Sequence, residues 1–523
     1  MNKPDTTQDR VFAFLESLKP DDASGLATKR IDTHANTVVL VGSKAYKVKR
    51  AVRFPFLDYS TLALRKDACE REIIYNSRYA ESLYVKAVPV TEEADGSLAL
   101  DGSGVPVEWV VVMNRFSHED ELDDLAEAGP FSDALADDLA VMMVTAHDNA
   151  PERAADGFIA ELQSYVEQNA AALAEHPELF PPQEAAHLNE SARLWLERIV
   201  DLIRTRGRHG LIRLCHGDAH LRNIVLQDGK PVLFDAVEFS DAIATGDVLY
   251  DLAFLLMDLW ERGQTRAANR VFNRYFDKAR REIDIEGLAA LPFYLMMRAA
   301  IRAKIAASAA LNQSDQKERK RQEDQARAYF RHALAFLDPR EPVLTAIGGL
   351  SGTGKTTLAY GIAPEIGRAP GARVLRTDVM RKARLGLAET EKAPAEAYTK
   401  EASDEVYAAL DRQIQSVLAA GHSAIFDAVF ADEKERSHVA AVAARVEAQF
   451  CGIWLYAPEA VLKQRVSARK ADASDADADV VSLQLRYDLG DLTWASVDAS
   501  GSVDDTLRNA RQALLQCGVL QNP

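Results

Sequence analysis

The stretch Val343-Leu344-Thr345-Ala346-Ile347-Gly348-Gly349-Leu350-Ser351-Gly352-Thr353-Gly354-Lys355-Thr356 decides how the last third of the chain folds. Its first part is a short apolar run typical of a buried strand. From Gly349 it follows the spacing G-x-x-x-x-G-K-T, in which glycines let backbone N–H groups converge on phosphate oxygens. The pattern predicts a nucleotide-binding loop, Gly349–Thr356, between a strand and a helix whose positive end also faces the phosphates. We call it the phosphate loop.

The side chains of the phosphate loop have predicted roles. Lys355 should reach the β- and γ-phosphates of ATP, and Thr356 should supply a hydroxyl ligand to Mg²⁺. The residues expected to hold the nucleotide are Gly349, Ser351, Gly352, Thr353, Gly354, Lys355, Thr356 and Thr357.

Two acids follow later strands of the same region. Asp427 ends the apolar run 423–426, where a carboxylate can hold Mg²⁺ through water. Asp378 follows a predicted strand over 372–377 and can take the proton from an acceptor hydroxyl. For each acid, capping of a helix N-terminus is the alternative interpretation.

Arg465 and Arg469 lie four residues apart on a predicted helix and so share one face. They can close over the phosphates as part of a lid, or they can simply face solvent. Around them, strands and helices alternate from 343 to 523, which predicts a parallel sheet with helices on both faces. The prolines in 338–342 mark a linker before this domain.

This region resembles the small-molecule P-loop kinases, such as gluconate kinase, and the related zeta-toxin group, within the AAA-family ATPases. The resemblance covers about 343–516 and depends on the phosphate loop, Asp378-x-x-Arg381, Asp427 and the arginines. It implies that Asp378 and Arg381 face the phosphate acceptor and that Arg465 and Arg469 belong to the lid.

A second constellation occurs earlier, at His216-Gly217-Asp218-Ala219-His220-Leu221-Arg222-Asn223, followed by Phe234-Asp235. One acid can orient an attacking hydroxyl, while an amide oxygen and a second carboxylate hold Mg²⁺ on ATP. Asp218, Asn223 and Asp235 are the residue types that this chemistry needs. A metal site built on His216 and His220 is disfavoured because no third ligand follows at metal spacing.

These motifs resemble the aminoglycoside phosphotransferase and choline-kinase group, relatives of the protein kinases, over about 28–337. The resemblance implies that Asp218 is the catalytic base and that Asn223 and Asp235 are Mg²⁺ ligands. It also implies that His216 braces the loop and that Asp251 anchors it.

In the small lobe, the resemblance makes Lys47 the ATP-phosphate lysine and Glu72 its helix partner, with Glu70 as the alternative. Lys49 shares the strand face of Lys47, so the choice between these two lysines stays open. Two features depart from the family pattern: only Gly42 stands in the hairpin before Lys47, and 236–239 lacks the glycine common in drug-modifying enzymes.

The predicted fold class is α/β and α+β, with an N-terminal protein-kinase-like two-lobed fold and a C-terminal P-loop NTPase sheet. The predicted domains are a strand-rich lobe (1–115), a helical lobe (116–337), a linker (338–342) and a P-loop kinase domain (343–523).

Composition and charge bound the partners of the chain. The 523 residues carry a formal net charge of -17, which argues against binding nucleic acid or anionic membrane. The four cysteines are widely spaced without a C-x-x-C pair, so we expect reduced thiols. With no apolar leader or membrane-length run, a cytoplasmic protein is expected. The sequence carries no indication of oligomeric state.

The function expected from the sequence is ATP- and Mg²⁺-dependent phosphoryl transfer to the hydroxyls of small molecules at two sites. One alternative is an active P-loop kinase with a regulatory kinase-like domain. Another is a nucleotide-gated interaction protein or a toxin-like protein.

Overall fold

A computed structural model describes residues 6–20, 26–54, 57–468 and 473–521. The chain divides into two compact units, which are described separately below. Unit 1 comprises Met1–Leu162 and Arg206–Asp258, and unit 2 comprises Gln163–Thr205 and Leu259–Pro523. The domain limits expected from the sequence at 115, 337 and 343 stay predictions.

Up to residue 261 the elements are, in chain order, α1 (Thr6–Glu16), β1 (Lys29–Asp32), β2 (Asn36–Val41), β3 (Lys44–Lys49), β4 (Arg53–Phe54), β5 (Leu57–Asp58), α2 (Leu62–Ala80), β6 (Tyr84–Glu92), β7 (Leu98–Leu100), β8 (Val105–Asn114), α3 (Leu122–Ala128), α4 (Asp133–Asn149), α5 (Ala155–Ala174), α6 (Pro182–Arg208), β9 (Ile212–Leu214), β10 (Ile224–Gln227), β11 (Lys230–Leu233), α7 (Asp241–Ala244), β12 (Thr245–Asp247) and α8 (Val248–Glu261).

The main sheet of unit 1 is antiparallel, with strand order β1-β2-β3-β8-β6-β7. The predicted hairpin is confirmed, because β2 pairs with β3 across the two-residue turn Gly42-Ser43. In β2 buried and half-buried side chains alternate, and Val39 and Val41 pack in the same apolar cluster as Val11 of α1. The opposite cluster holds Cys69 of α2, whose first turn is capped by Thr61. This helix and sheet carry Lys47 and Glu72.

Two small two-stranded sheets carry the second motif of unit 1. β9 pairs with β12, and β10 pairs with β11, each antiparallel. The loop 215–223 runs between β9 and β10, and Phe234-Asp235 follows directly after β11. The predicted catalytic acid and metal ligands therefore lie at the ends of short strands.

After residue 261 the elements are α9 (Thr265–Ala279), α10 (Glu282–Gly287), α11 (Leu291–Leu311), α12 (Gln316–Leu337), β13 (Val343–Gly349), α13 (Lys355–Ile362), β14 (Arg373–Arg376), α14 (Thr377–Arg384), α15 (Lys400–Ala419), β15 (Ala424–Asp427), α16 (Glu433–Arg445), β16 (Gln449–Tyr456), α17 (Glu459–Ser467), α18 (Ala478–Gln484), β17 (Ala495–Asp498) and α19 (Val503–Gln516).

The sheet of unit 2 has five parallel strands in the order β14-β15-β13-β16-β17. Successive side chains of β15 point to opposite faces: Ile425 packs in the cluster that includes α13 and α19, while the Phe426 ring lies 5.7 Å from that of Tyr407 on α15. The predicted parallel sheet covered on both faces is confirmed. Because β13 is central, the phosphate loop leaves the middle of the sheet.

Two local predictions in unit 2 were wrong. Asp378 does not end a strand, because β14 stops at Arg376 and Asp378 lies in the first turn of α14. The helical pattern of 395–420 predicts one continuous helix, but the structure splits it: 395–398 forms a 3-10 turn, and α15 begins after Thr399, whose hydroxyl accepts a hydrogen bond from Ala402 N. The Thr399 cap satisfies one of the free backbone N–H groups in the first turn of α15, so a new helix can begin there.

The expectation of four reduced thiols is wrong for one pair, because Cys451 and Cys517 are joined in a disulfide. Strand β16 and the end of α19 bring together two residues that are 66 positions apart, which spacing alone does not reveal. Cys69 and Cys215 are free and buried. Within the described ranges, no helix combines the length and apolar character needed to cross a membrane.

Candidate active sites

The phosphate loop of unit 2 has a backbone that only glycine accommodates at its centre. Gly352 has φ +88°, and a Cβ there would lie 2.7 Å from the carbonyl oxygen of Leu462. Lys355, the first residue of α13, folds back so that its Nζ lies 2.8 Å from Gly349 O and 3.2 Å from Leu350 O. The loop thus forms a concave rim of backbone groups with one lysine ammonium inside it, which suits phosphate oxygens.

The predicted magnesium ligands of unit 2 meet beside the phosphate loop. Thr356 Oγ1 donates a hydrogen bond to Asp427 Oδ2 at 2.6 Å, although the residues are 71 positions apart. A hydroxyl and a carboxylate side by side are the oxygen donors that Mg²⁺ prefers, so this pair fits the ion. Arg376 Nε lies 3.6 Å from the same Asp427 oxygen and adds a positive charge to the site.

Asp378 and Arg381 line the same cavity as the phosphate loop, which has a volume of about 1240 Å³. Burial raises the pKa of Asp378, while the positive charge of Arg376 acts against that rise. The Arg381 guanidinium lies over the ring of Tyr398, 4.7 Å from its centroid, and donates to the Ser403 hydroxyl. The structure therefore brings a half-buried acid and a buried arginine to one wall of the cavity beside the phosphate loop.

Of the two predicted lid arginines, the structure describes only Arg465. Arg465 lines the cavity and donates hydrogen bonds to Ala499 O and Gly501 O at 2.8 and 3.0 Å. Arg469 lies outside the described residues.

Two residues that line the cavity were not predicted from the sequence. Gln484 of α18 accepts a hydrogen bond from Ser351 N at 2.7 Å, and so holds the phosphate loop from the far end of the domain. Asp475 accepts hydrogen bonds from Lys382 Nζ, Ala393 N and Tyr398 OH, at 2.9, 2.9 and 2.6 Å. No local motif marks either residue, because their partners lie about 80 or more positions away.

In unit 1, the loop that begins at His216 is held from both sides. His216 Nε2 lies 2.9 Å from Phe234 O, and Gly217 N donates to Asp251 Oδ1 at 2.9 Å, as the family resemblance implies. Burial lowers the pKa of His216 and so favours the neutral imidazole. Its Nδ1 accepts a hydrogen bond from Asp218 N at 3.3 Å. Gly217 has φ +84°, which turns the chain sharply before Asp218.

Asp218 and Asn223 are adjacent in this loop. Asn223 Nδ2 donates to Asp218 O at 2.9 Å and to Asp218 Oδ2 at 3.0 Å, which leaves the amide oxygen for another ligand. His220 Nε2 lies 3.4 Å from Asp218 Oδ2.

Asp235 completes the set from the next segment. It has φ +60°, an uncommon left-handed backbone for a residue other than glycine. Its N–H donates to Tyr84 OH at 3.1 Å, and the next N–H, of Ala236, donates to Asn76 Oδ1 at 2.8 Å. Neither Tyr84 nor Asn76 was predicted from sequence. Together they fix the carboxylate at the end of β11.

The geometry separates the two candidate lysines. Lys47 Nζ lies 2.7 Å from Glu72 Oε1 and 2.6 Å from Asp235 Oδ1. Lys49 Nζ instead lies 2.6 Å from Glu72 Oε2 and 2.5 Å from Glu238 Oε1. Lys47 is thus the lysine that contacts the candidate magnesium ligand.

The charges around Lys47 keep it protonated. Burial would lower the pKa of Lys47, but the carboxylates of Asp235 and Glu72 outweigh burial and raise the pKa well above its usual value. The alternative helix acid, Glu70, points away and lies 3.7 Å from Lys66 at the surface. Of the two candidate acids, Glu72 is the one that meets Lys47.

Comparisons with known proteins agree with this division of chemistry. Residues 32–290 match the model of a phosphotransferase enzyme family, and residues 344–487 match the model of an AAA domain. Uncharacterised proteins of Mycobacterium tuberculosis and Mycobacterium bovis are each 29% identical over 470 residues, covering 86% of this chain and 88% of theirs. The chain therefore contains one region similar to a phosphotransferase enzyme family and, after it, one region similar to AAA domains, as the motifs predicted.

Among solved structures, a choline/ethanolamine kinase family protein from Mesorhizobium loti is similar over 63% of this chain and 99% of its own, with 16% identity and a TM-score of 0.36. A gluconokinase from Sinorhizobium meliloti is similar over 34% of this chain and 94% of its own, with 20% identity and a TM-score of 0.26.

Proposed function

We propose that the protein transfers phosphoryl groups from ATP to hydroxyl groups of small molecules at two separate sites. The observation that carries the proposal is that each unit, taken by itself, holds a full set of groups for this chemistry. Each set has a lysine for phosphate, paired oxygen donors for Mg²⁺ and an acid for the acceptor.

In unit 1 we assign Lys47 to the ATP phosphates, Asn223 and Asp235 to Mg²⁺, and Asp218 to the acceptor proton. The short contacts of Lys47 with Glu72 and Asp235 support this assignment, because they place the ammonium beside the carboxylate that would hold the ion. When bound, Mg²⁺ would neutralise charge on the phosphates.

In unit 2 we assign Lys355 and the phosphate-loop backbone to ATP, Thr356 and Asp427 to Mg²⁺, and Asp378 to the acceptor proton. The raised pKa of Asp378 supports a base role, since a base works best when its pKa approaches the operating pH. Arg465 is assigned to the transferring phosphate, whose negative charge it can stabilise.

We further propose small-molecule acceptors rather than nucleic acid or membrane, and a cytoplasmic location where ATP is available. The net charge of -17 supports the exclusion of polyanionic partners.

A regulatory unit 1 beside an active unit 2 is the second candidate. The observation that favours it is the two-residue turn Gly42-Ser43, which offers a single glycine where kinases cover the phosphates with a glycine-rich loop.

One experiment separates these candidates. Full-length protein with Asp218→Asn, Lys355→Ala or both would be incubated with labelled ATP, Mg²⁺ and a metabolite mixture, and phosphorylated products would be separated. With two active sites, each single variant loses a different set of products and the double variant loses all. If only Lys355→Ala removes products, unit 1 is regulatory. Full turnover by the double variant would overturn the proposal.

A further inference from the structure

Helix α9 falls within the range of the first family model, but it packs against the sheet of unit 2. Its residues, Thr265–Ala279, fall inside the range 32–290 that matches the phosphotransferase family. In space, however, α9 lies in unit 2, against β14 at the open edge of the P-loop sheet. Edge strands present unpaired N–H and C=O groups, so whatever covers this edge holds the strand in place.

Two asparagines of α9 pair with the backbone at this edge. Asn269 Nδ2 donates to Pro370 O and Ala372 O at 3.0 and 3.1 Å. Asn273, one turn later on the same face, donates from Nδ2 to Ala372 O at 3.1 Å and accepts from Val374 N through Oδ1 at 2.7 Å. Both side chains are buried. The carboxamides take the place of a neighbouring strand.

A buried ion pair extends the same contact. Arg373 of β14 directs Nη1 to Asn273 Oδ1 at 3.0 Å and Nη2 to Asp277 Oδ1 at 2.5 Å. The exposed fractions of the Arg373 and Asp277 side chains are only 5% and 6%. Charges at such depth are stable only when they stay paired, so β14 cannot slide along α9 without leaving them unpaired.

The last turn of α9 holds a second segment. Arg274 Nη1 lies 2.7 Å from Glu389 Oε2, and Lys278 Nζ lies 3.2 Å from Glu389 Oε1. Arg280, just after the helix, donates to Leu387 O at 3.3 Å. One short helix therefore contacts 370–374 and 387–389.

Between these two contacts the chain forms α14, which carries Asp378 and Arg381. Lys382 Nζ, fully buried, also donates to Glu389 O at 2.9 Å and so couples α14 to the second contact. The segments on either side of the helix that carries the candidate base are thus both held by α9. The phosphate loop and Asp427 lie on other strands, β13 and β15, so the distance from base to metal ligand depends on where β14 and α14 are held.

We propose that α9, which by sequence belongs to the phosphotransferase-family domain, is a positioning element of the P-loop acceptor site, with Arg274 and Glu389 as positioning residues. Its role in transfer rests on the proposed function of Asp378. The proposal that α9 holds 377–391 in place does not depend on that function.

The test uses the full-length chain with Asp218→Asn, so that unit 1 is silent, and MgATP with water as the acceptor. Glu389→Gln and Arg274→Met weaken the ion pair, whose side chains are about one-tenth exposed, without emptying the core. The charge reversal Arg274→Glu with Glu389→Arg is the rescue. Arg511→Met is the matched control, because its ion pair with Glu365 is equally short and lies elsewhere in unit 2.

We expect amide hydrogen exchange in 377–391 to rise at least tenfold in the single variants and to stay unchanged in 349–357. We expect kcat for ATP hydrolysis to fall at least tenfold with KM for ATP within twofold, and the reversal to restore both readouts in large part. Unchanged exchange would overturn the proposal. Faster exchange with unchanged kcat would reduce α9 to a purely structural partner and overturn the positioning role.

If neither the Asp218→Asn protein nor the protein with Asp218 intact hydrolysed ATP, that result would count against the proposed function instead. The exchange measurement would still decide whether α9 holds the segment.

Discussion

Lys49 and Glu238 form a buried ion pair, with 2.5 Å between Nζ and Oε1 and exposed side-chain fractions of 1% and 6%. Because Lys49 also contacts Glu72, that acid is shared between Lys49 and Lys47. Helix α2 therefore cannot withdraw Glu72 from Lys47 without breaking two buried ion pairs.

This sharing predicts different outcomes for the two lysines. In a Lys355→Ala background, Lys47→Met should lower ATP-dependent transfer by about 100-fold or more, because the ammonium acts on phosphate. Its free energy of unfolding should fall little beyond the loss of the two ion pairs that Lys47 makes. Lys49→Met should instead lower the free energy of unfolding by about 3–5 kcal/mol, since it leaves Glu238 buried without its partner. Product assays and urea denaturation measure the two effects.

Lys44→Met is the matched control, because Lys44 lies on the same strand and its Nζ bonds Asn114 Oδ1 near the surface. If Lys47→Met and Lys49→Met reduced transfer equally at equal stability, the distinction between the lysines would fail.

The contact between Thr356 and Asp427 predicts a change in metal dependence. In the Asp218→Asn background, Thr356→Ala should raise the Mg²⁺ concentration for half-maximal ATP turnover at least tenfold, because one oxygen donor is lost from the pair. Asp427→Asn should have a larger effect, since it removes the charge. Ser437→Ala deletes an exposed hydroxyl on α16 and serves as the control. An unaltered Mg²⁺ dependence in Asp427→Asn would exclude this acid as a ligand.

The environment of Asp378 predicts the pH dependence of unit 2. A base must be deprotonated to act, so turnover should fall as pH falls through the pKa of Asp378, which burial raises above the ordinary aspartate value. Arg376 opposes that rise, and Arg376→Met should therefore move the acidic limb of the kcat/KM profile to higher pH. Arg384 lies on the same helix as Asp378 and pairs at the surface with Glu405 of α15, so Arg384→Met should leave the limb in place. A limb that moves to lower pH in Arg376→Met would contradict the assignment.

Buried His422 predicts a pH-dependent stability of unit 2. Burial lowers the pKa of His422 to about 3, whereas the unfolded chain titrates near the ordinary value of 6.5. Below pH 6.5 the unfolded state binds a proton that the folded state does not, so stability is lost as pH falls, by about 1.4 kcal/mol per pH unit. His422→Phe, which can stack on Phe272 as the imidazole does, should lose about 2 kcal/mol less than wild type between pH 7 and pH 5. Urea midpoints at both pH values measure this, and parallel losses in the two proteins would refute it.

The sequence by itself determined most of the residues that make up the two candidate sites. The phosphate loop and the loop from His216 to Asn223 are each eight residues long. Their function depends on local backbone geometry that glycines and neighbouring side chains impose, so a short motif carries nearly all the information. The alternation of strands and helices after 343 was likewise readable, because hydrophobic periodicity is a local property.

Only the tertiary structure decided which of the two candidate lysines contacts Asp235 and which contacts hold the candidate sites together. Lys47 and Lys49 share one strand face, and the choice of Lys47 depends on Asp235, 188 residues away. Arg376, Gln484 and Asp475 enter the cavity of unit 2 through partners that no motif links to them. Helix α9 lies in the range that matches the phosphotransferase family model, but it packs on the sheet of the range that matches the AAA-domain model. These features depend on burial and ion pairing between distant segments, whose strength comes from exclusion of water in the folded chain and leaves no local pattern in the sequence.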